Sequence, residues 1–78
     1  MKKRDFTEDI VYNNIGDERF TIKDAKRITD RSSYRYKPTT QELSFYISRS
    51  DKFYKVGWDG QRNYWKRRNN LNEDNLHN

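Results

Sequence analysis

Apolar positions along this chain fall in short clusters set between polar runs. Phe6, Ile10, Val11 and Ile15 recur at near-helical spacing. Asp5, with Glu8 three residues on, has the spacing of a capping box. Gly16 is a natural stop, because glycine enters the left-handed conformation at little cost. The pattern predicts a first helix over about 5–15. Arg19, Phe20 and Thr21 then suit a short extended piece. Ile22, Ala25 and Ile28 are spaced by three and share a face. Thr21 can cap this second helix, and Asp24 falls in its first turn, where a carboxylate favours the helix dipole. Its expected span is about 22–30.

Residues 31–38, RSSYRYKP, read as a polar basic loop. Pro38 disfavours helix at Lys37. Thr39 and Glu42 then form a T-x-x-E capping box, which starts a third helix over about 40–50. At about 100° per residue, Leu43, Tyr46, Ile47 and Ser50 gather on one side. Gln41, Ser44, Phe45 and Ser48 gather on the other. Beyond Asp51 the stretches KFYKVGW and RNYWKR are rich in strand formers. Asp59-Gly60 between them is a strong hairpin signal. Strands are expected near 52–57 and 62–67. Trp65 is expected to pack the hairpin onto the helices, with Val56 and Phe53 or Tyr54. Trp58 adjoins the turn and is expected to be exposed, either to stack on a base or sugar or to cover the hairpin. One domain over 5–68 therefore lies between a flexible N-terminus, 1–4, and a disordered Asn-rich tail, 69–78.

Composition alters this picture in one respect. Hydrophobic residues make up only 31% of the 78, and charged residues 37%, a balance that leans toward disorder. Six Tyr, four Phe and two Trp argue instead for a small core rich in rings. With no Cys and a single His, His77, neither a disulfide nor a Cys- or His-centred metal site is expected. The carboxylates fall at helix starts and turns, where capping explains them. No catalytic residues, cofactor or enzymatic activity are therefore expected. No apolar run approaches the roughly 18 residues of a membrane span. The opening MKKRDFTEDI lacks the apolar stretch of a secretory signal. These features predict a cytoplasmic protein, nucleoid-associated if prokaryotic, without a membrane partner.

The formal net charge is +5, and its distribution says more than its total. Residues 1–30 balance seven Lys/Arg against seven Asp/Glu. Residues 31–68 hold ten Lys/Arg against three acids. Basic charge segregated in this way points first to a polyanion, usually nucleic acid.

The order helix, short strand, helix, loop, helix, hairpin resembles a winged helix-turn-helix domain of the small archaeal DNA-binding type. The resemblance runs from Asp5 to Arg68 and is carried by RFTIKDAKRITD, PTTQELSFYISRS and DKFYKVGWDGQRNYWKRR. It implies an α+β fold of three helices with a C-terminal β-hairpin wing. It also implies that the third helix enters the major groove, with Thr40, Gln41, Ser44, Phe45 and Ser48 facing bases. Chemically that face is mixed. Gln pairs with adenine, Ser and Thr pair with several base edges, and a ring touches the thymine methyl. Phe45 is also readable as a lone exposed ring and, less readily, as an anchor in a protein interface, the last favoured if Tyr34 and Tyr36 pack nearby. Phosphate-binding candidates are Arg31, Arg35 and Lys37 in the loop, Arg49 at the flank of the third helix, and Lys52, Lys55, Arg62, Lys66, Arg67 and Arg68 on or beside the wing. Such groups bind phosphate without reading sequence. Two departures stand out: the loop before the third helix is long, and that helix has few basic residues. The expected function is double-stranded DNA binding by a small transcriptional regulator. The alternative is an interaction module that binds protein or structured RNA in a larger assembly. Nothing in the sequence decides between a monomer and a homodimer.

Overall fold

In the computed structural model, which describes residues 2–68, three helices are followed by a two-stranded antiparallel sheet, an α+β arrangement. The helices are α1 (Lys3–Asn14), α2 (Ile22–Arg31) and α3 (Thr40–Arg49). The strands are β1 (Phe53–Trp58) and β2 (Asn63–Arg67). The Asn-rich tail and His77 lie outside the described residues. None of the described helices is long and apolar enough to cross a membrane.

Helices α2 and α3 start as their sequences dictate. Thr21 accepts from the Asp24 backbone N–H while the Asp24 carboxylate accepts from the Thr21 N–H. Thr39 and Glu42 repeat the arrangement at α3. Each box satisfies two backbone donors that a helix N-terminus leaves open. Helix α1 differs from expectation. It begins at Lys3, with Lys2 as an N-cap that provides no side-chain bond, so Asp5 lies inside its first turn. Glu8 is not a capping partner. It is buried, where it accepts from the Ser50 hydroxyl at 2.6 Å and pairs with Arg4 at 2.9 Å. Because Ser50 is the C-cap of α3, this bond ties the end of α3 to the middle of α1. Gly16, with φ 81°, turns the chain after α1 as expected.

The buried apolar core is Val11, Phe20, Ala25, Leu43, Ile47, Phe53 and Trp65. Phe53 meets Tyr12 and Phe20, with ring centroids 6.0 and 5.6 Å apart. Phe6 does not join this core. The buried stripe of α1 is Thr7, Glu8 and Val11, and Phe6 lies about 140° round the helix from Val11.

The hairpin is held to the helices through its backbone. Phe20 and Trp65 exchange two hydrogen bonds of 2.8 Å, so the segment before α2 forms a one-residue bridge to β2. That leaves β2 between Phe20 and β1. The Arg67 guanidinium donates to the Tyr12 carbonyl at 2.8 Å and to Asp17 through two nitrogens, at 2.8 and 3.1 Å. The Tyr12 hydroxyl donates to the Arg68 carbonyl at 2.6 Å. Val56 is exposed and does not pack with Trp65.

The connection between the strands is a four-residue loop, 59–62, longer than a two-residue turn. Only Gly60 takes a positive φ, 96°. Asp59 acts through its side chain, accepting from the N–H groups of Gln61 and Arg62 and from the Tyr64 hydroxyl. These bonds favour the charged carboxylate and bring it down to about 2 from an ordinary 3.8. Because the folded value is the lower one, the loop's contribution to stability is complete above about pH 4. It is lost as the pH falls toward 2. Backbone amide shifts of Gln61 and Arg62 should therefore titrate with a midpoint near 2. A midpoint near 3.8 would contradict the loop geometry.

Candidate nucleic-acid interface

All five residues proposed to face bases, Thr40, Gln41, Ser44, Phe45 and Ser48, are exposed on α3. They divide into two flanks around the helix. On one flank Ser44 lines a cleft with Ile22 and Lys23 of α2 and Gln61, Arg62 and Asn63 of the hairpin. The hairpin tip, the start of α2 and the middle of α3 therefore meet around one cleft. On the other flank Phe45, 51% exposed, carries the Arg49 guanidinium over its ring at 4.3 Å.

A bulge decides where Trp58 stands. Pairing runs Lys55 with Trp65, then Gly57 with Tyr64 and Trp58 with Asn63, so Val56 is the extra residue. Cross-strand partners share a face, and faces alternate along a strand. Trp58 therefore shares the face of Asn63 and Trp65, which turns toward the helices. Without the bulge it would lie on the face of Tyr54. It is 66% exposed, because at the hairpin tip that face projects beyond the core.

The ten candidate phosphate ligands do not form one set. Lys37 donates to the carbonyls of Thr29 and Ser32, at 3.2 and 2.6 Å, and so caps the end of α2. This suits a cation at a helix C-terminus. Lys52 pairs with Asp9, and Arg67 is held by Asp17 and Tyr12. Arg68 lies 5.3 Å from the centroid of the Tyr54 ring. Arg31 lines a separate cleft with Ile15 and Ile28, about half a turn round α2 from Ile22. Lys66 pairs with Tyr54 on the outer face of the hairpin. Arg35 lies in the loop before α3 and does not line the cleft. Arg62 lines the cleft itself, and Lys55 shares the inner hairpin face with Trp65 and Trp58. Neither forms a side-chain ion pair among the described residues, although Arg62 lies near enough to Asp59 to favour its charged carboxylate.

Two sets of contacts near α3 are set by tertiary packing and are not legible from local sequence. Phe6 stacks on Tyr34 with centroids 5.0 Å apart. Tyr36 donates its hydroxyl to Glu42, which also holds the Thr39 N–H. These bonds keep the Glu42 carboxyl below its ordinary value, while burial and the same bond push the Tyr36 phenol up. Among the described residues, no group of His, Cys, Asp and Glu side chains is arranged to hold a metal ion. No protein-family model matches the chain, and comparison with curated proteins and solved structures finds no match either.

Proposed function

We propose that the chain is a winged helix-turn-helix protein that binds double-stranded DNA, as a small transcriptional regulator and not an enzyme. The observation that carries this reading is the cleft shared by α2, α3 and the hairpin tip. It places Ser44 of α3 beside the cations Lys23 and Arg62, and Gln41 and Ser48 are exposed about one turn to either side of Ser44. The Phe20–Trp65 bridge supports the same reading, because it fixes the hairpin to the segment that leads into α2, as a wing requires. Sequence reading would fall to α3, where a Gln and two Ser side chains match base-edge chemistry. Affinity would come from phosphate contacts of the wing.

Titrating a labelled duplex at several salt concentrations tests this. The logarithm of the association constant should fall linearly with the logarithm of salt, by about 0.9 for each phosphate neutralised. An absence of binding even at low salt would contradict the proposal.

A further inference from the structure

Five aromatic rings form a continuous ridge that begins at Phe45, about 100° round α3 from Ser44, and leaves the helix at Tyr46. Tyr46 lies about 160° round the helix from Ser44. From Phe45 the path runs to Tyr46, with centroids 6.2 Å apart. It continues from the Tyr46 hydroxyl to that of Tyr36 at 3.2 Å, and from Tyr36 to Tyr34 at 6.2 Å. It ends at Phe6, which is 39% exposed. Three elements supply these rings: α1, the loop before α3, and α3. The loop between α2 and α3 supplies two of the rings, Tyr34 and Tyr36.

Cations are interleaved with the rings. Lys3 holds its ammonium 4.8 Å from the Tyr36 centroid, and Arg49 lies over Phe45. Lys2 and Arg35 are exposed beside them, without an acidic partner among the described residues. The acid of the ridge, Glu42, is engaged by the Thr39 N–H and the Tyr36 hydroxyl. The surface is therefore basic as well as aromatic, and the Tyr36–Glu42–Tyr46 bonds hold its centre in place.

We propose that this ridge binds unpaired nucleotides of a single-stranded nucleic acid. Bases stack on Phe6, Tyr34 and the Phe45–Arg49 pair, and Lys2 and Arg35 meet the phosphates. Unpaired bases stack on aromatic rings and on guanidinium planes, and a basic surface tracks their backbone. A protein partner fits less well, because the centre of a protein interface is depleted of charge and here a cation touches two of the five rings. A duplex fits less well too, because its paired bases offer no faces to stack. The ridge lies on the other flank of α3 from the cleft, so it adds to the duplex-binding reading and does not depend on it.

The test is fluorescence anisotropy with labelled 12-mers of deoxythymidine and of uridine, the two arms separating DNA from RNA as the source. Wild-type protein should bind at least one of them at low salt. Phe6→Leu and Phe45→Leu keep apolar bulk but remove the ring, and each should weaken binding by about tenfold or more. Phe45→Trp should restore it. The double variant Lys55→Ala/Arg62→Ala, on the other flank, should bind the 12-mers within about twofold of wild type while losing duplex affinity. Both phenylalanines are exposed, so the helical circular dichroism should not change. If Phe6→Leu alone disturbs folding, Phe45→Leu and Phe45→Trp still decide the matter. The proposal is overturned if neither 12-mer binds, if the Leu variants bind like wild type, or if the Lys55/Arg62 variant loses the 12-mers as severely as the Leu variants do.

Discussion

Trp65→Ala should destabilise the domain by roughly 3–5 kcal/mol, the range for emptying a buried large aromatic position. Trp65 is 8% exposed and belongs to the single core that joins the hairpin to the helices. Its backbone forms both hydrogen bonds to Phe20, so the same residue provides the strand bridge and the ring beneath it. A chain of this length has a total stability of only about 4–12 kcal/mol. The variant should therefore lose a large share of that stability and unfold at much lower urea concentration than wild type. Trp65→Phe is the informative companion. The Trp65 Nε1 is buried with no hydrogen-bond partner among the described residues. Phenylalanine gives up part of the ring volume but also removes an unsatisfied donor, which itself costs about 1–3 kcal/mol. Urea unfolding followed by circular dichroism should place Trp65→Phe much closer to wild type than to Trp65→Ala. Equal losses for the two would mean that the indole nitrogen has a partner and that the ring is not the main source of stability.

The second large effect concerns placement of charge. Lys55→Ala/Arg62→Ala and Arg31→Ala/Lys66→Ala each remove two positive charges, so their net charges are equal. Only the first pair lies on the cleft side of the hairpin. If each lost contact removes about 0.9 from the salt slope, the first pair should lower it by about 1.8. Duplex affinity at 0.15 M salt should then fall roughly 30-fold. The second pair lies on the far side of α2 and on the outer hairpin face. Neither residue lines the cleft, and with screening over about 8 Å the pair's influence on a duplex docked there should be small. Equal losses from both pairs would indicate diffuse attraction by net charge, with no defined docking face.

Much of the fold is legible in the sequence because its signals are local. Thr21 with Asp24, and Thr39 with Glu42, fix two helix starts within four residues. The two faces of α3 follow from its period alone, with Leu43, Ile47 and Ser50 buried and Gln41, Ser44, Phe45 and Ser48 exposed. The extended piece at Phe20 and the burial of Trp65 are also foreseen. What the sequence conceals is non-local. Asp5 and Glu8 have capping spacing, but Glu8 is claimed by Ser50, 42 residues away. Lys37, Lys52 and Arg67 count as free cations in a charge tally, yet each has a partner set by tertiary packing. The bulge at Val56 leaves no mark in composition, although it moves Trp58 from one face of the hairpin to the other. The position of Phe6 could have been found. Placed on the helical wheel, it falls opposite the stripe centred on Val11, and only its nearness to Ile10 suggests otherwise.

The central claim is that α3 and the inner face of the hairpin together form the surface that meets duplex DNA. Backbone amide chemical-shift mapping with a short duplex tests it residue by residue. Shifts should concentrate at Gln41, Ser44, Ser48, Lys55, Trp58, Arg62 and Lys23. The amides of Arg31, Lys66 and Phe6 on α1 should stay near their free positions. Shifts concentrated instead on Arg31 and Lys66, or the absence of any at low salt, would contradict the account.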